Sequence, residues 1–358
     1  MQPRLKRYRY FLENEYAASL INNKAHSLTE LKSDLKQKIK RGQFKKIVFC
    51  GMGCSAIVAE MIKVFFIEQK IELEVTVVND YDWVYLVAPA TIKDKKTLII
   101  VSSESGYSQE PIKFYEQIKR LTKNIIFLTS GGELEKIAAK DKVSLVRWQL
   151  KNPDQQYAVL HAPEFFVNLL NIFFEFGLTA NNYERELQTA SQLIKKESTA
   201  QKIEEAKKLA KKLKNREIIL IASPLWRPAL LRLIVMHFNE LSLTAAHDNS
   251  LHEFTHCEIL TLTQPKTGQA LIVFKDYNEN EYTIKKIQLM TEILTKKIKF
   301  NKNREVAVIN LKYKNFLQNF FLTLLKMQYV AYFLGVDYNI TTNNLIAKAA
   351  LKYEKFKT

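Results

Sequence analysis

The chain has 358 residues, enough for two domains, and 47% of them are hydrophobic, the usual share for a globular protein. Its three cysteines offer no disulfide framework and point to a reducing, cytoplasmic setting, and no apolar run reaches the roughly 18 residues of a membrane helix. The net charge of +17 raises nucleic acid as a partner, but 43 of the 54 basic residues are lysines dispersed along helix faces and no zinc or ribonucleoprotein-type motif is present, so the charge reads as a field favouring an anionic substrate.

Residues 8–40 show apolar positions three or four apart and predict a helix, ended by Gly42. A strand at 46–50 runs into Gly51-Met52-Gly53-Cys54-Ser55, and a helix follows over 55–68. Glycine in such a turn permits positive φ or close approach of a ligand, and the open N–H groups of the following helix suit a phosphate. The spacing fits neither a nucleotide P-loop nor a dinucleotide fingerprint, and a turn serving only the fold is an equal reading. Strands are expected at 72–79 and 97–101, the second apolar throughout as in a sheet covered on both faces. It leads into the hydroxyl-rich loop Ser102-Ser103-Glu104-Ser105-Gly106-Tyr107-Ser108. A helix at 110–122, a strand at 124–129, the turn Ser130-Gly131-Gly132, a helix at 134–139 and a strand at 144–148 complete the first half.

An apolar helix at 163–178 is expected between the halves. The second half reads as helices over 183–213 with a break near 197–199, a strand at 217–222, a helix at 228–239 and a polar stretch to 257. Strands at 270–274 and 306–310 flank a helix at 280–295, and the chain closes with helices at 316–333 and 342–352 around Gly335-Val336-Asp337. The alternation implies an α/β fold with two subdomains, 30–153 and 180–354, each a parallel sheet flanked by helices, plus C-terminal helices.

Three places can carry chemistry: the glycine turn, the serine loop, and Asn239-Glu240 with His256-Cys257-Glu258. The serine loop follows a parallel strand, where open α/β sheets bind ligands. Ser103, Ser105 and Ser108 offer hydroxyls without a charged partner, which suits a phosphate monoester on a sugar better than a metal; an ordinary polar loop is the competing reading. Cys50 and Cys54 are four apart with no second ligand pair nearby, so no metal is expected.

In order and spacing these motifs resemble sugar isomerase (SIS) domains: Gly-Met-Gly-x-Ser after the first strand, Ser-x-Ser-Gly-x-Ser after the third, and Thr129-Ser130-Gly131-Gly132 after the next. Phe238-Asn239-Glu240, with His256 sixteen residues on, and Gly335-Val336-Asp337, with Lys348 eleven residues after the aspartate, narrow the likeness to the bifunctional phosphoglucose/phosphomannose isomerases over about residues 40–352. The resemblance implies a cofactor-free aldose–ketose isomerase taking glucose 6-phosphate and mannose 6-phosphate to fructose 6-phosphate through a cis-enediol. Glu240 matches the base that moves the proton between C1 and C2. His256 matches a ring-opening histidine that reaches across a homodimer interface, and Lys348 a second participant. Gly53, Cys54, Ser55, Ser103, Ser105 and Ser108 fall at the phosphate site, and Thr341 or Thr342 at a position linked to accepting both C2 epimers.

The departures are specific. Cys54 replaces a glycine, Tyr107 stands at a small polar position, Ser108 replaces threonine, and Tyr338 replaces proline. The family's phosphate-site arginine has no counterpart among residues 157–163, where His161 is the candidate substitute. Two alternatives stay open: a non-catalytic phosphosugar-binding SIS protein, and an isomerase of another sugar phosphate.

Overall fold

The computed structural model describes residues 3–21, 26–28, 30–148 and 159–340. The first half runs α1 (Pro3–Tyr10), β1 (His26–Ser27), α2 (Ser33–Lys40), β2 (Lys46–Cys50), α3 (Cys54–Glu68), β3 (Glu74–Val78), α4 (Pro89–Lys93), β4 (Thr97–Ser102), α5 (Gln109–Ile118), β5 (Ile125–Thr129), α6 (Gly132–Asp141) and β6 (Ser144–Trp148). The second runs α7 (Ala162–Glu175), α8 (Glu184–Glu197), α9 (Ala200–Leu213), β7 (Glu217–Ala222), α10 (Arg232–Leu241), β8 (Ala246–Ser250), α11 (Leu251–Phe254), β9 (Gln269–Asp276), α12 (Glu281–Glu292), β10 (Arg304–Leu311) and α13 (Phe316–Asp337).

One sheet has the order β1-β6-β5-β4-β2-β3, parallel except for the edge strand β1. The other, β10-β9-β7-β8, is parallel throughout. Alternation along the strands sorts side chains between faces. Ile47 and Phe49 of β2, and Ile218 and Leu220 of β7, enter one core shared by both sheets. Val48 and Cys50 face a core outside the first sheet, and Ile219 and Ile221 one outside the second. Both faces of each sheet are therefore covered, which is why β4 and β7 read as nearly unbroken apolar runs. Residues of α3, α7, α10 and α13 fill the shared core between the sheets.

The chain leaves β2 toward β3 on one side and returns to β4 on the other, so β2 and β4 meet at the point where strand order reverses. Loops after two such strands splay apart and leave a crevice at their carboxyl ends. The glycine turn and the serine loop are those two loops.

The expected helix over 8–40 is broken. α1 passes into a wider turn at Phe11–Glu15, and His26–Ser27 pairs antiparallel with β6 before α2 begins. The apolar spacing ran on because both pieces face the shared core, and local periodicity does not register capture by a sheet edge. The polar stretch before 257 contains β8, whose Ala-His-Asp-Asn-Ser sequence lacks any apolar alternation. It is an edge strand with polar side chains, a common protection against further pairing. The last expected helix, 342–352, lies outside the described residues.

Candidate active site

Gly53 ends the turn after β2 with φ +53° and ψ −126°, a positive-φ conformation open to glycine without strain, and α3 starts at the next residue. Neither α3 nor α5 carries a capping side chain, so neither has its first N–H groups taken up by a cap. In the serine loop, Ser103 is buried and acts as the hub. Its hydroxyl donates to Ser108 Oγ at 3.0 Å and accepts from the Gly106 amide at 3.2 Å. The turn after β5 clamps this loop from behind: the Ser130 amide and hydroxyl donate to the Glu104 carbonyl at 3.0 and 2.7 Å, and Thr129 Oγ1 adds a bond at 3.2 Å.

Between the two loops lies a cavity of about 160 Å3. Cys54, Ser55, Ser103, Ser105 and Ser108 line it, five of the six residues that the resemblance assigns to a phosphate; Gly53 shapes the turn beside it. The Cys54 thiol is pushed well above its ordinary range, first by burial and then by the Glu240 and Glu104 charges, and so stays neutral. Tyr107 is exposed and does not line the cavity, so that departure does not fill it.

Three lining groups, Trp148, Phe165 and Glu104, escaped the sequence reading. Trp148 stacks on Phe165 at 4.3 Å as an apolar wall, and its indole N–H has no partner among the described residues. Glu104 also faces the cavity; burial raises its carboxyl above the usual range, His161 pulls it down and Glu164 pushes it up. Glu104 sits between Ser103 and Ser105 in the sequence, but nothing local shows that folding buries its carboxyl.

His161, just before α7, is 3% exposed and lines the same cavity. Glu164 Oε2 lies 3.8 Å from its Nδ1, and among the described residues neither ring nitrogen makes a hydrogen bond. A buried imidazole with open nitrogens on a hydroxyl-lined cavity is arranged to meet a ligand. No lysine or arginine is among the described lining residues.

Glu240 sits near the end of α10. Met236, one turn earlier on the same face, brings its methyl to 4.0 Å from where a Gly53 β-carbon would be, so α10 lies along the glycine turn. Glu240 is at an exposed rim, yet surrounding protein raises its carboxyl above the ordinary range by desolvation, with the Arg4 charge opposing. Arg4 of α1 also donates to the Glu240 carbonyl oxygen. Behind Glu240, His237 is fully buried between the Tyr8 hydroxyl at 2.9 Å and the Gln328 amide at 3.0 Å; burial pushes its pKa down to about 3.

His256 follows α11 in an exposed turn, its amide bonded to the Glu253 carbonyl at 3.0 Å. Neither His256 nor Glu240 lines the serine cavity within one chain. Lys348, Thr341 and Thr342 lie outside the described residues. Tyr338 is accommodated: its hydroxyl accepts from the Asn215 amide at 2.6 Å. Among the described residues no three His, Cys, Asp or Glu side chains gather as a metal site, and no helix is long and apolar enough to cross a membrane.

Residues 202–350 match the family of the bacterial phospho-glucose isomerase C-terminal SIS domain. A bifunctional phosphoglucose/phosphomannose isomerase of Caldicellulosiruptor bescii is 30% identical over 244 residues, 66% of this chain and 68% of the relative. Its counterpart in Thermoplasma volcanium is 33% identical over 101 residues, 28% of this chain and 30% of that one. Solved structures share the fold at much lower identity. The C-terminal domain of glucosamine-fructose-6-phosphate aminotransferase from Francisella tularensis has a TM-score of 0.63 at 12% identity, covering 94% of this chain and 96% of that one. The tagatose-6-phosphate ketose/aldose isomerase from Escherichia coli gives 0.63 at 14%, covering 94% of each. With its SIS fold, its hydroxyl-lined crevice at the strand-order reversal and this shared sequence, the chain belongs to the bifunctional phosphoglucose/phosphomannose isomerase family.

Proposed function

We propose that the protein is a sugar-phosphate isomerase that converts glucose 6-phosphate, and mannose 6-phosphate, to fructose 6-phosphate through a cis-enediol. The observation that supports this most is the packing of α10 along the glycine turn: Met236 meets Gly53, and the Glu240 charge reaches Cys54. A base and a phosphate crevice are thereby neighbours, as proton transfer on a held sugar needs. The raised carboxyl of Glu240 suits a general base, because a stronger conjugate base takes a carbon-bound proton more readily. In this reading 30–153 supplies the phosphate site and 180–354 the base. The phosphate lies on Ser55, Ser103, Ser105, Ser108 and the amides from Gly53 onward, with the His161 imidazole as a further hydrogen-bonding ligand. His256, exposed and away from the cavity of its own chain, serves ring opening in a second copy of a homodimer, with Lys348 as a second participant and Thr341 or Thr342 at the C2 position.

A non-catalytic phosphosugar-binding protein is the second reading, favoured by one observation: neither Glu240 nor His256 lines the crevice within one chain. One experiment separates the two: fructose 6-phosphate formation from both aldoses by wild type and Glu240→Gln. The isomerase reading expects a fall of roughly 10²–10⁴ in kcat with fructose 6-phosphate binding retained. If both proteins bind the ketose and neither turns over either aldose, the sensor reading stands instead.

A further inference from the structure

A second cavity, of about 290 Å3, opens between α9, β10 and α13 and shares no lining residue with the serine crevice. Its apolar surface includes Ile203 of α9 and Leu322 and Leu325 of α13. Lys202, Lys312 and Lys326 also line it, against one lining carboxylate, Glu197, whose charge adds to burial in raising the pKa of the neighbouring Tyr313 hydroxyl.

The three lysines are not equivalent. Lys202 is paired with Glu205 at 3.2 Å, and Lys312 lies 5.3 Å from the centre of the Tyr313 ring. Lys326 is half-buried, and among the described residues no carboxylate comes within ion-pair distance of its ammonium group. Burial holds that ammonium below the ordinary lysine range; the Glu205 charge opposes burial, and Lys202 and Lys312 press in the same direction as burial. A partly dehydrated cation facing two others is costly unless an anion completes it. Ligand pockets combine an apolar lining with a few convergent polar groups, at volumes from about 300 Å3 upward, and this cavity, with about 290 Å3, sits at the lower edge of that range.

We propose that this cavity binds a small organic phosphate with an apolar or aromatic body. The phosphate would sit on Lys326 with Lys202 and Lys312, compact point charges suited to a dianion. The body would lie on Ile203, Leu322 and Leu325. The site is separate from the isomerase crevice and requires nothing of Glu240.

Phenyl phosphate is the probe. Methyl-labelled protein at low salt would be titrated while the signals of Ile203, Leu322 and Leu325 are followed, with inorganic phosphate in parallel. The expected result is saturable movement of these methyl signals, tighter for phenyl phosphate than for inorganic phosphate, and weaker at higher salt. Lys326→Met should weaken the apparent affinity by roughly tenfold or more, the loss of one charged hydrogen bond. Methionine fits a half-buried stem, and an unchanged melting temperature would verify folding; Lys202→Ala, at an exposed position, provides a second variant expected to weaken binding. Methyl signals that stay still at millimolar phenyl phosphate, or that move equally in both lysine variants, overturn the proposal. The reporters lie in this cavity alone, so the outcome does not depend on turnover in the other.

Discussion

Gly106 and Gly131 approach so closely that a β-carbon on Gly106 would stand 1.9 Å from the Gly131 carbonyl oxygen. Gly132 returns the contact, since a β-carbon there would meet the Ser105 carbonyl at 2.2 Å. The serine loop and the turn after β5 are thus pressed back to back, and the loop's shape depends on it. Gly106→Ala should therefore cost more than about 4 kcal/mol or prevent folding, because the obstacle is backbone on both sides. Gly53→Ala meets open space, with only the Met236 methyl at 4.0 Å, and should cost about 1–3 kcal/mol for the strained positive-φ backbone alone. Urea unfolding of the pair measures the difference; equal losses would contradict the interlocking.

Arg4 and Glu240 give a pH test. Burial raises the Glu240 carboxyl and the Arg4 charge lowers it. As the proposed base Glu240 would work ionised, so on that proposal the acid limb of kcat/KM follows this group. Removing the positive charge in Arg4→Gln favours the protonated form and moves the limb to higher pH. A limb that stays in place, or moves down, would detach Arg4 from the base.

Glu104 predicts an unusual gain. Its raised carboxyl is neutral at low pH and harmless to a bound phosphate; as pH rises it ionises and repels the dianion. KM for the sugar phosphate should therefore climb with pH in the wild type, and Glu104→Gln should flatten that climb while leaving low-pH affinity near its original value. If the profiles of the two proteins superimpose, Glu104 does not face the phosphate.

His237 bears on stability. Its folded pKa of about 3 lies below the ordinary value of 6.5, so between the two the unfolded chain binds a proton that the native state refuses. Stability contributed by the neutral imidazole is present above about pH 6.5 and is lost as pH falls toward 3. His237→Gln should lower stability at pH 7, through the contacts to Tyr8 and Gln328, yet show a shallower decline on acidification by one proton's worth of slope. Unfolding free energies across that range provide the comparison, and parallel declines would refute it.

Much of the architecture was legible from local pattern. Strand, glycine turn and helix at 46–68 follow from apolar runs and backbone chemistry that act over a few residues, and so do the break between α8 and α9 and the strand β7. The hydroxyl loop could be placed at the carboxyl end of a parallel strand, because right-handed α/β connections leave few choices. The resemblance then supplied Glu240 and His256, which no periodicity marks. What stayed hidden depends on partners far along the chain. β1 and β8 exist because β6 and β7 offer edges to pair with, not because their own residues favour strands. Glu104 and Trp148 are unremarkable one at a time, and only folding brings them to one cavity and strips the water that governs the Glu104 charge. The sequence by itself determined the motifs and their order, since those are written in local residue chemistry. The tertiary structure alone decided that α10 runs along the glycine turn and that Glu240 is desolvated, since both arise from packing between segments nearly two hundred residues apart.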